Sequence, residues 1–217
     1  MDHEFWHQRW QEGKIGFHEG KPNEHLLVHA SHLALEDKRV LVPLCGKTVD
    51  LAWLAAQGAA EVVGVELVTS AVEAFFREQG LVPERTAVGT LERFHVPDLT
   101  VFAGDFFALD VETAGGAFDA CWDRAALVAL PQGLRERYAA HTRSLLRSGA
   151  RTLLVTFEHD LGAGEPPFSI PDALVRTLFA EDAITELATH DVSSITPNLT
   201  ARGATFVRDR VYSIVRR

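Results

Sequence analysis

Through the middle of the chain, short apolar runs alternate with stretches of helical apolar spacing. Val40-Leu41-Val42-Pro43-Leu44 is such a run, Cys45-Gly46-Lys47-Thr48 reads as a turn, and Val49 to Gln57 carries apolar residues at helical spacing. After Gly58-Ala59-Ala60, Glu61 to Leu67 predicts a second buried strand, and Ser70 with Glu73 forms a capping box that opens a helix closed near Gly80. The unit is strand, helix, strand, helix. Thr100-Val101-Phe102 and Phe118 to Trp122 predict two more strands, Gln132 to Ser148 a helix, and Thr152 to Phe157 a further strand. The alternation then breaks at the Gly/Pro-rich stretch Gly162 to Pro171, a loop placed directly after a strand. Ile184 to His190 and Thr205 to Val215 read as a terminal antiparallel pair. Strands alternating with helices imply an α/β fold, a doubly wound and mostly parallel sheet with its ligand at the carboxyl ends of the strands. Ahead of this lies an arm, residues 1–35, that sets Trp6, Trp10 and Phe17 among polar positions and carries a short helix beginning near His25-Leu26-Leu27-Val28.

Composition narrows the function classes. A chain of 217 residues is expected to form one domain and to bury roughly 70% of its unfolded surface. With 21 Lys+Arg against 30 Asp+Glu, the net charge is −9, which argues against nucleic acid or an anionic membrane as partner, since both call for a basic face. The remaining expectation is a small-molecule substrate and a monomer. Cys45 and Cys121 are far apart and show no metal-ligand spacing, so neither a disulfide scaffold nor a zinc site is expected. No apolar run is long enough for a membrane span, and the first residues are polar and aromatic; a cytoplasmic protein is expected.

The span from Val40 to Glu66 carries the chemistry. An apolar strand, a tight turn containing Gly46, a helix and a second strand ending in an acid form a nucleoside-binding unit, in which Glu66 accepts hydrogen bonds from ribose hydroxyls. Gly46-Lys47-Thr48 is not a P-loop, because that motif needs a glycine five positions earlier and Leu41 stands there. A pyrophosphate is better served by three glycines, whereas one suffices for S-adenosylmethionine, which has no phosphate. Asp105 followed by Phe106 and Phe107 supplies an acid for an adenine amino group beside an apolar face.

Several ordered motifs together resemble one family. Trp6-x-x-x-Trp10-x-x-Gly13-Lys14-x-Gly16-Phe17-His18, Val42 to Leu51, Gly64-Val65-Glu66, Trp122-Asp123-Arg124-x-Ala126-Leu127-x-Ala129-Leu130-Pro131 and Pro166-Pro167-Phe168-x-x-Pro171 are similar to the thiopurine S-methyltransferases of bacteria. The resemblance implies a Rossmann-like methyltransferase with a seven-stranded sheet, an antiparallel C-terminal strand and an N-terminal arm over S-adenosylmethionine. It implies that Trp10, Leu44, Glu66 and Arg124 line the cofactor site, that Asp105 and Phe106 lie near the adenine, and that Phe17 faces the substrate. Trp6 joins Trp10 and Phe17 as an aromatic wall able to exclude water, stack a flat acceptor and attract a sulfonium. Arg124 is expected to bind the cofactor carboxylate or to stabilise an anionic acceptor, and Asp123 to orient it or take a proton. The family often places a basic residue shortly before its C-terminal Ala-Arg-Gly; here Asn198 stands in that stretch, leaving Arg202 as the substrate-side cation.

Methyl transfer to a soft nucleophile, whether a thiopurine, an aromatic thiol or a selenium or tellurium compound, is the expected activity. A halide or thiocyanate methyltransferase and a non-catalytic S-adenosylmethionine-binding protein are the alternatives. His25, His29 and His32 fall near one helical face without a flanking acid, so no metal site is expected.

Overall fold

The computed structural model describes residues 3–162 and 164–217. Elements are numbered in chain order. Five parallel strands form the centre of the sheet: β1 (Arg39–Pro43), β2 (Glu61–Glu66), β5 (Leu99–Ala103), β6 (Phe118–Arg124) and β7 (Leu146–His159). β1, β2 and β5 are buried almost without interruption, as expected of strands covered on both faces, whereas β7 is buried mainly from Thr152 onward. β9 (Val207–Val215) pairs antiparallel with β7, and β8 (Ala183–Asp191) pairs antiparallel with β9 along the edge. The order is therefore β5-β2-β1-β6-β7-β9-β8 for the seven expected strands.

The sheet has nine strands, however, not seven. β3 (Glu84–Val88) and β4 (Leu91–Val96) form a hairpin that extends the β5 edge. Its two-residue loop, Gly89-Thr90, has a left-handed glycine (φ 60°) first, the arrangement of a type II′ turn. β3 is largely exposed and charged, so it carries no apolar alternation by which to be read.

Helices α3 (Asp50–Ala56) and α4 (Thr69–Glu78) cover one face, where Leu51, Leu54, Val72, Phe75 and Phe76 pack with Leu26 and Leu33 from the arm. α5 (Gln132–Leu145) and α6 (Asp172–Leu178) cover the other, around Tyr138, Phe106, Val175 and Tyr212. The Ser70–Glu73 capping box does not form. α4 starts at Thr69, the Val68 N–H is taken by Glu66 (2.9 Å), and Glu73 reaches Arg85 instead (2.9 Å). The strand's last residue thus holds the backbone just ahead of the helix, which has no side-chain cap. α5 ends at Leu145 rather than Ser148, because Leu146 already pairs with Phe118 in β7.

β1 lies between β2 and β6, with which the chain runs off in opposite directions, so a crevice opens at the carboxyl ends of these strands. The arm, with α1 (His3–Gln11) and α2 (Glu24–His29), is laid over that end. Among the described residues, no helix is long and apolar enough to cross a membrane.

Candidate active site

The floor of the crevice is the turn after β1. Leu44 (φ 48°) and Gly46 (φ 56°) are both left-handed, a conformation costly for leucine, and they aim the Gly46 N–H at Glu66 Oε2 (2.8 Å). The turn sits tightly on β2: a Cβ on Gly64 would lie 2.8 Å from Cys45 Sγ, so only glycine leaves room for that side chain. Glu66 is buried, 6% exposed, and each carboxylate oxygen accepts one backbone N–H, from Gly46 and from Val68. Each oxygen retains an unused lone pair. Burial pushes the Glu66 carboxyl up to about 7, against the opposing pull of the Val68, Gly46 and Leu67 N–H groups. Burial also raises the Cys45 thiol well above its usual range, which leaves it an unreactive side chain.

The arm forms the roof. A Cβ on Gly46 would meet Trp10 Cζ2 at 3.2 Å and Phe17 Cε2 at 3.9 Å, so these two rings lie directly over the turn. Trp6 and Trp10 each meet Phe17 edge-on, with ring centroids 5.8 Å apart. Sequence reasoning thus assigned three aromatic residues that the fold brings to one cluster.

Arg124 holds the arm down. It ends β6, just before the left-handed Ala125 (φ 63°), and its Nη1 donates to the Phe17 carbonyl (2.6 Å) while its guanidinium pairs with the Glu19 carboxylate. Asn23 Nδ2 donates to the same carboxylate (3.2 Å), and the Asn23 N–H donates to Asp50 Oδ1 (2.8 Å). Asp50, itself buried, accepts the Trp122 indole N–H on its other oxygen (2.9 Å). Glu19, Asn23 and Asp50, which continue this network, are residues that sequence reasoning did not single out. Asp50 falls inside the quoted motif, and an acid at an otherwise apolar helical position was the available signal.

The neighbouring acid faces elsewhere. Asp123 is 1% exposed, and its oxygens accept the Tyr138 hydroxyl (2.8 Å) and the Leu127 N–H (3.3 Å) within the core beside β6. Burial raises its carboxyl to about 6 in spite of both donors. Asp105 caps the short turn Phe106–Ala108 by accepting the Phe107 N–H (3.0 Å). The Phe106 ring is buried against Tyr138 and edge-on to His141 (4.9 Å). Lys47, beside the glycine of the turn, is engaged by Glu78 (2.7 Å).

On the far side of the roof, Arg202 Nη2 donates to the Glu165 carbonyl (2.9 Å) and so pins the Gly/Pro-rich loop. The Glu165 carboxylate in turn meets Arg9 of α1 (3.2 Å). Gly16 approaches Asn198 of α7 (Pro197–Ala201), whose Nδ2 would lie 3.6 Å from a Cβ there. The arm thus meets the Gly/Pro-rich loop through Arg9 and Glu165 and approaches α7 through Gly16 and Asn198.

The model of the family described as thiopurine S-methyltransferase matches residues 1–217. A thiopurine S-methyltransferase of Pseudomonas aeruginosa is 45% identical over 220 residues, with 100% of each chain covered. One from Xanthobacter autotrophicus is 51% identical over 188 residues, covering 85% of this chain and 86% of the relative. Among solved structures, magnesium protoporphyrin IX methyltransferase from Synechocystis PCC 6803, with S-adenosylmethionine bound, superposes with a TM-score of 0.63 at 17% identity, over 100% of this chain and 98% of that one. A 1,6-didemethyltoxoflavin-N1-methyltransferase from Burkholderia thailandensis gives 0.60 at 17% identity, over 99% and 87%. These two are likenesses of fold. The full-length family match and the high identity of its relatives fall on a chain whose strand ends and roof match the quoted motifs, and this chain belongs to the thiopurine S-methyltransferase family of S-adenosylmethionine-dependent methyltransferases.

Proposed function

We propose that this enzyme transfers the methyl group of S-adenosylmethionine to the sulfur of a thiopurine or aromatic thiol, or to a related selenium or tellurium centre. The observation that carries the reading is the stacked arrangement of Glu66, Gly46 and the Trp10–Phe17 roof. A buried carboxylate with a free lone pair on each oxygen fits a ribose diol, and a turn that only glycine can make fits close approach of a nucleoside. When bound, S-adenosylmethionine supplies a sulfonium methyl for in-line displacement.

The protein's task is alignment and exclusion of water. Glu66 holds the ribose, with Leu44 and Gly46 as the backbone beneath it. Asp105 receives the adenine amino group; the inward-turned Phe106 ring leaves its backbone for that contact. Trp6, Trp10 and Phe17 close over the sulfonium, where a ring face adds cation–π attraction, and Phe17 stacks the acceptor. Arg124 supplies positive charge at the acceptor side and fixes the roof through Phe17 and Glu19. An acceptor that arrives as a thiolate needs no protein base, so Asp123, bonded to Tyr138 and Leu127, anchors the end of β6 that carries Arg124 rather than taking a proton. Arg202 shapes the acceptor wall through the loop it pins. Residues 1–217 act as one methyltransferase domain, with residues 1–35 as its arm. The buried, unpaired Cys45 and Cys121 suit a reducing cytoplasm, and the acidic balance suits a monomer with a small-molecule substrate and no nucleic acid.

Calorimetric titration with S-adenosylmethionine and S-adenosylhomocysteine, followed by methyl transfer to thiopurines, aromatic thiols, selenite, tellurite and iodide, tests this reading. Binding of both ligands and turnover on the thiols is the expected result. Preference for iodide would overturn the acceptor assignment, and absence of binding would overturn the site.

A further inference from the structure

His25, in the first turn of α2, meets two residues from the other end of the chain. Asp209 on β9 stands opposite His190 on β8, and its carboxylate takes a ring nitrogen on each side: His25 Nε2 at 2.6 Å from Oδ2 and His190 Nδ1 at 3.0 Å from Oδ1. The two imidazoles are stacked, with centroids 5.5 Å apart and planes 20° apart. One ligand atom from each residue falls within 4.8 Å of the others. Asp209 is 6% exposed and anchored in β9 two positions from Val211, which packs in the same apolar layer as Leu26 of α2. His190 is half-exposed and opens the cluster to solvent.

We propose that His25, His190 and Asp209 form a binding site for a divalent transition metal, zinc foremost, which staples the arm to the outer edge of the sheet. Two ligands each about 2.0–2.1 Å from one ion at tetrahedral to right angles lie roughly 2.8–3.4 Å apart. The His190–Asp209 separation is already in that range; His25 has to move back from Asp209 by a few tenths of an ångström, and the three ligand atoms, now within 4.8 Å of one another, have to close on one ion. Two imidazoles and a carboxylate select zinc and its neighbours over magnesium and calcium, which take oxygen ligands. The exposed side beside His190 leaves a fourth position for water. In the metal-free cluster each ring nitrogen facing Asp209 donates to it; on binding, those nitrogens present lone pairs and their protons sit on Nδ1 of His25 and Nε2 of His190, exchanged through solvent. The cluster lies apart from Glu66 and the Trp10–Phe17 roof, yet its ligand His25 is two residues from Asn23, which joins Glu19 and Asp50. A bound ion would therefore fix the anchor from which the roof extends.

The test titrates the metal-free full-length protein with zinc chloride alone, in a non-chelating buffer, and repeats it with cobalt(II) to record the absorption of a nitrogen- and oxygen-ligated ion. The wild type is expected to bind one equivalent, and His190→Ala to lose at least about tenfold in affinity. His190 is half-exposed, so this variant keeps the fold. Asp209→Asn is expected to abolish the cobalt(II) spectrum, and His7→Ala, on the exposed side of α1, to leave zinc affinity unchanged. Absence of stoichiometric binding by the wild type, or equal affinity in His190→Ala, would overturn the site.

Discussion

At Gly46 two constraints meet in one residue: the backbone is left-handed, and Trp10 lies 3.2 Å from where a Cβ would stand. Gly46→Ala is expected to lose about 1–2 kcal/mol from the left-handed backbone alone and to push the Trp10 ring off the turn. Urea unfolding measures the first effect and tryptophan emission the second; an alanine variant with unchanged midpoint and emission would contradict the packing. Glu66 gives a prediction of a different kind. Its carboxyl, pushed up to about 7 by burial, is partly protonated near neutral pH in the free enzyme. Ribose hydroxyls donate to the ionised form and so lower that value on binding, and binding then releases a proton. Cofactor affinity should rise as pH goes from about 6 to about 8, with a limiting slope of roughly tenfold per unit on the acid side. Glu66→Gln should flatten this profile and weaken binding by about 1.5–3 kcal/mol. Calorimetry across that range decides; a flat wild-type profile would mean the carboxylate is not the ribose acceptor.

Between elements, the arm depends on a small number of polar contacts. Arg124 at the end of β6 grips Phe17 and Glu19, and Asn23 and Asp50 continue the chain of bonds to Trp122. Glu19→Ala removes the acid shared by Arg124 and Asn23 while leaving the Phe17 carbonyl bond, so the cost should be about 1 kcal/mol and concentrated in the arm. Faster proteolysis between residues 12 and 22, with global urea stability almost unchanged, is the expected readout; unaltered cleavage would show that aromatic packing alone holds the roof. The sequence made the strands of this site legible because their signals are local. Val40 to Pro43 and Val62 to Val65 are uncharged, mostly apolar runs, and the interval from Gly46 to Glu66 is fixed by one helix between two strands. The β3–β4 hairpin was hidden because β3 is exposed and half charged. Glu19 was hidden because its partner Arg124 lies 105 positions away. The same distance problem concealed the acid that joins His25, since Asp209 is 184 positions further on. The capping box misled for a physical reason: α4 already starts at Thr69, which puts Ser70 inside the helix, and Glu73 is drawn to Arg85 of β3.

For the molecule as a whole, the buried carboxyls give the stability an unusual dependence on pH. Glu66 rises from 4.5 to about 7 and Asp123 from 3.8 to about 6, so the folded state holds protons that the unfolded chain releases. The unfolded state then binds fewer protons, and stability falls as pH rises through each folded value, the reverse of an acid engaged in an ion pair. Burial lowers His18, His29 and His141 below 6.5, and their contribution runs the other way: it is present above 6.5 and lost on acidification. Exposed carboxyls held low by local hydrogen bonds, such as Asp110 and Asp160, are screened by solvent and complete their change at lower pH. Between pH 6.5 and 8 the surface contributions are nearly constant, the histidines of the unfolded chain, half protonated at 6.5, add a rise that opposes the fall from Glu66, and the Glu66 contribution is read as the difference between wild type and Glu66→Gln. The Glu66 contribution by itself should remove about 1 kcal/mol of unfolding free energy from the ligand-free enzyme across that interval. Glu66→Gln should remove this slope, whatever its effect on absolute stability, because the amide does not titrate. Urea titrations of wild type and variant at pH 6.5, 7.2 and 8 measure it. A variant whose stability follows pH as the wild type's does would show that Glu66 is already ionised in the folded chain and that the backbone N–H groups of Gly46 and Val68 outweigh its burial.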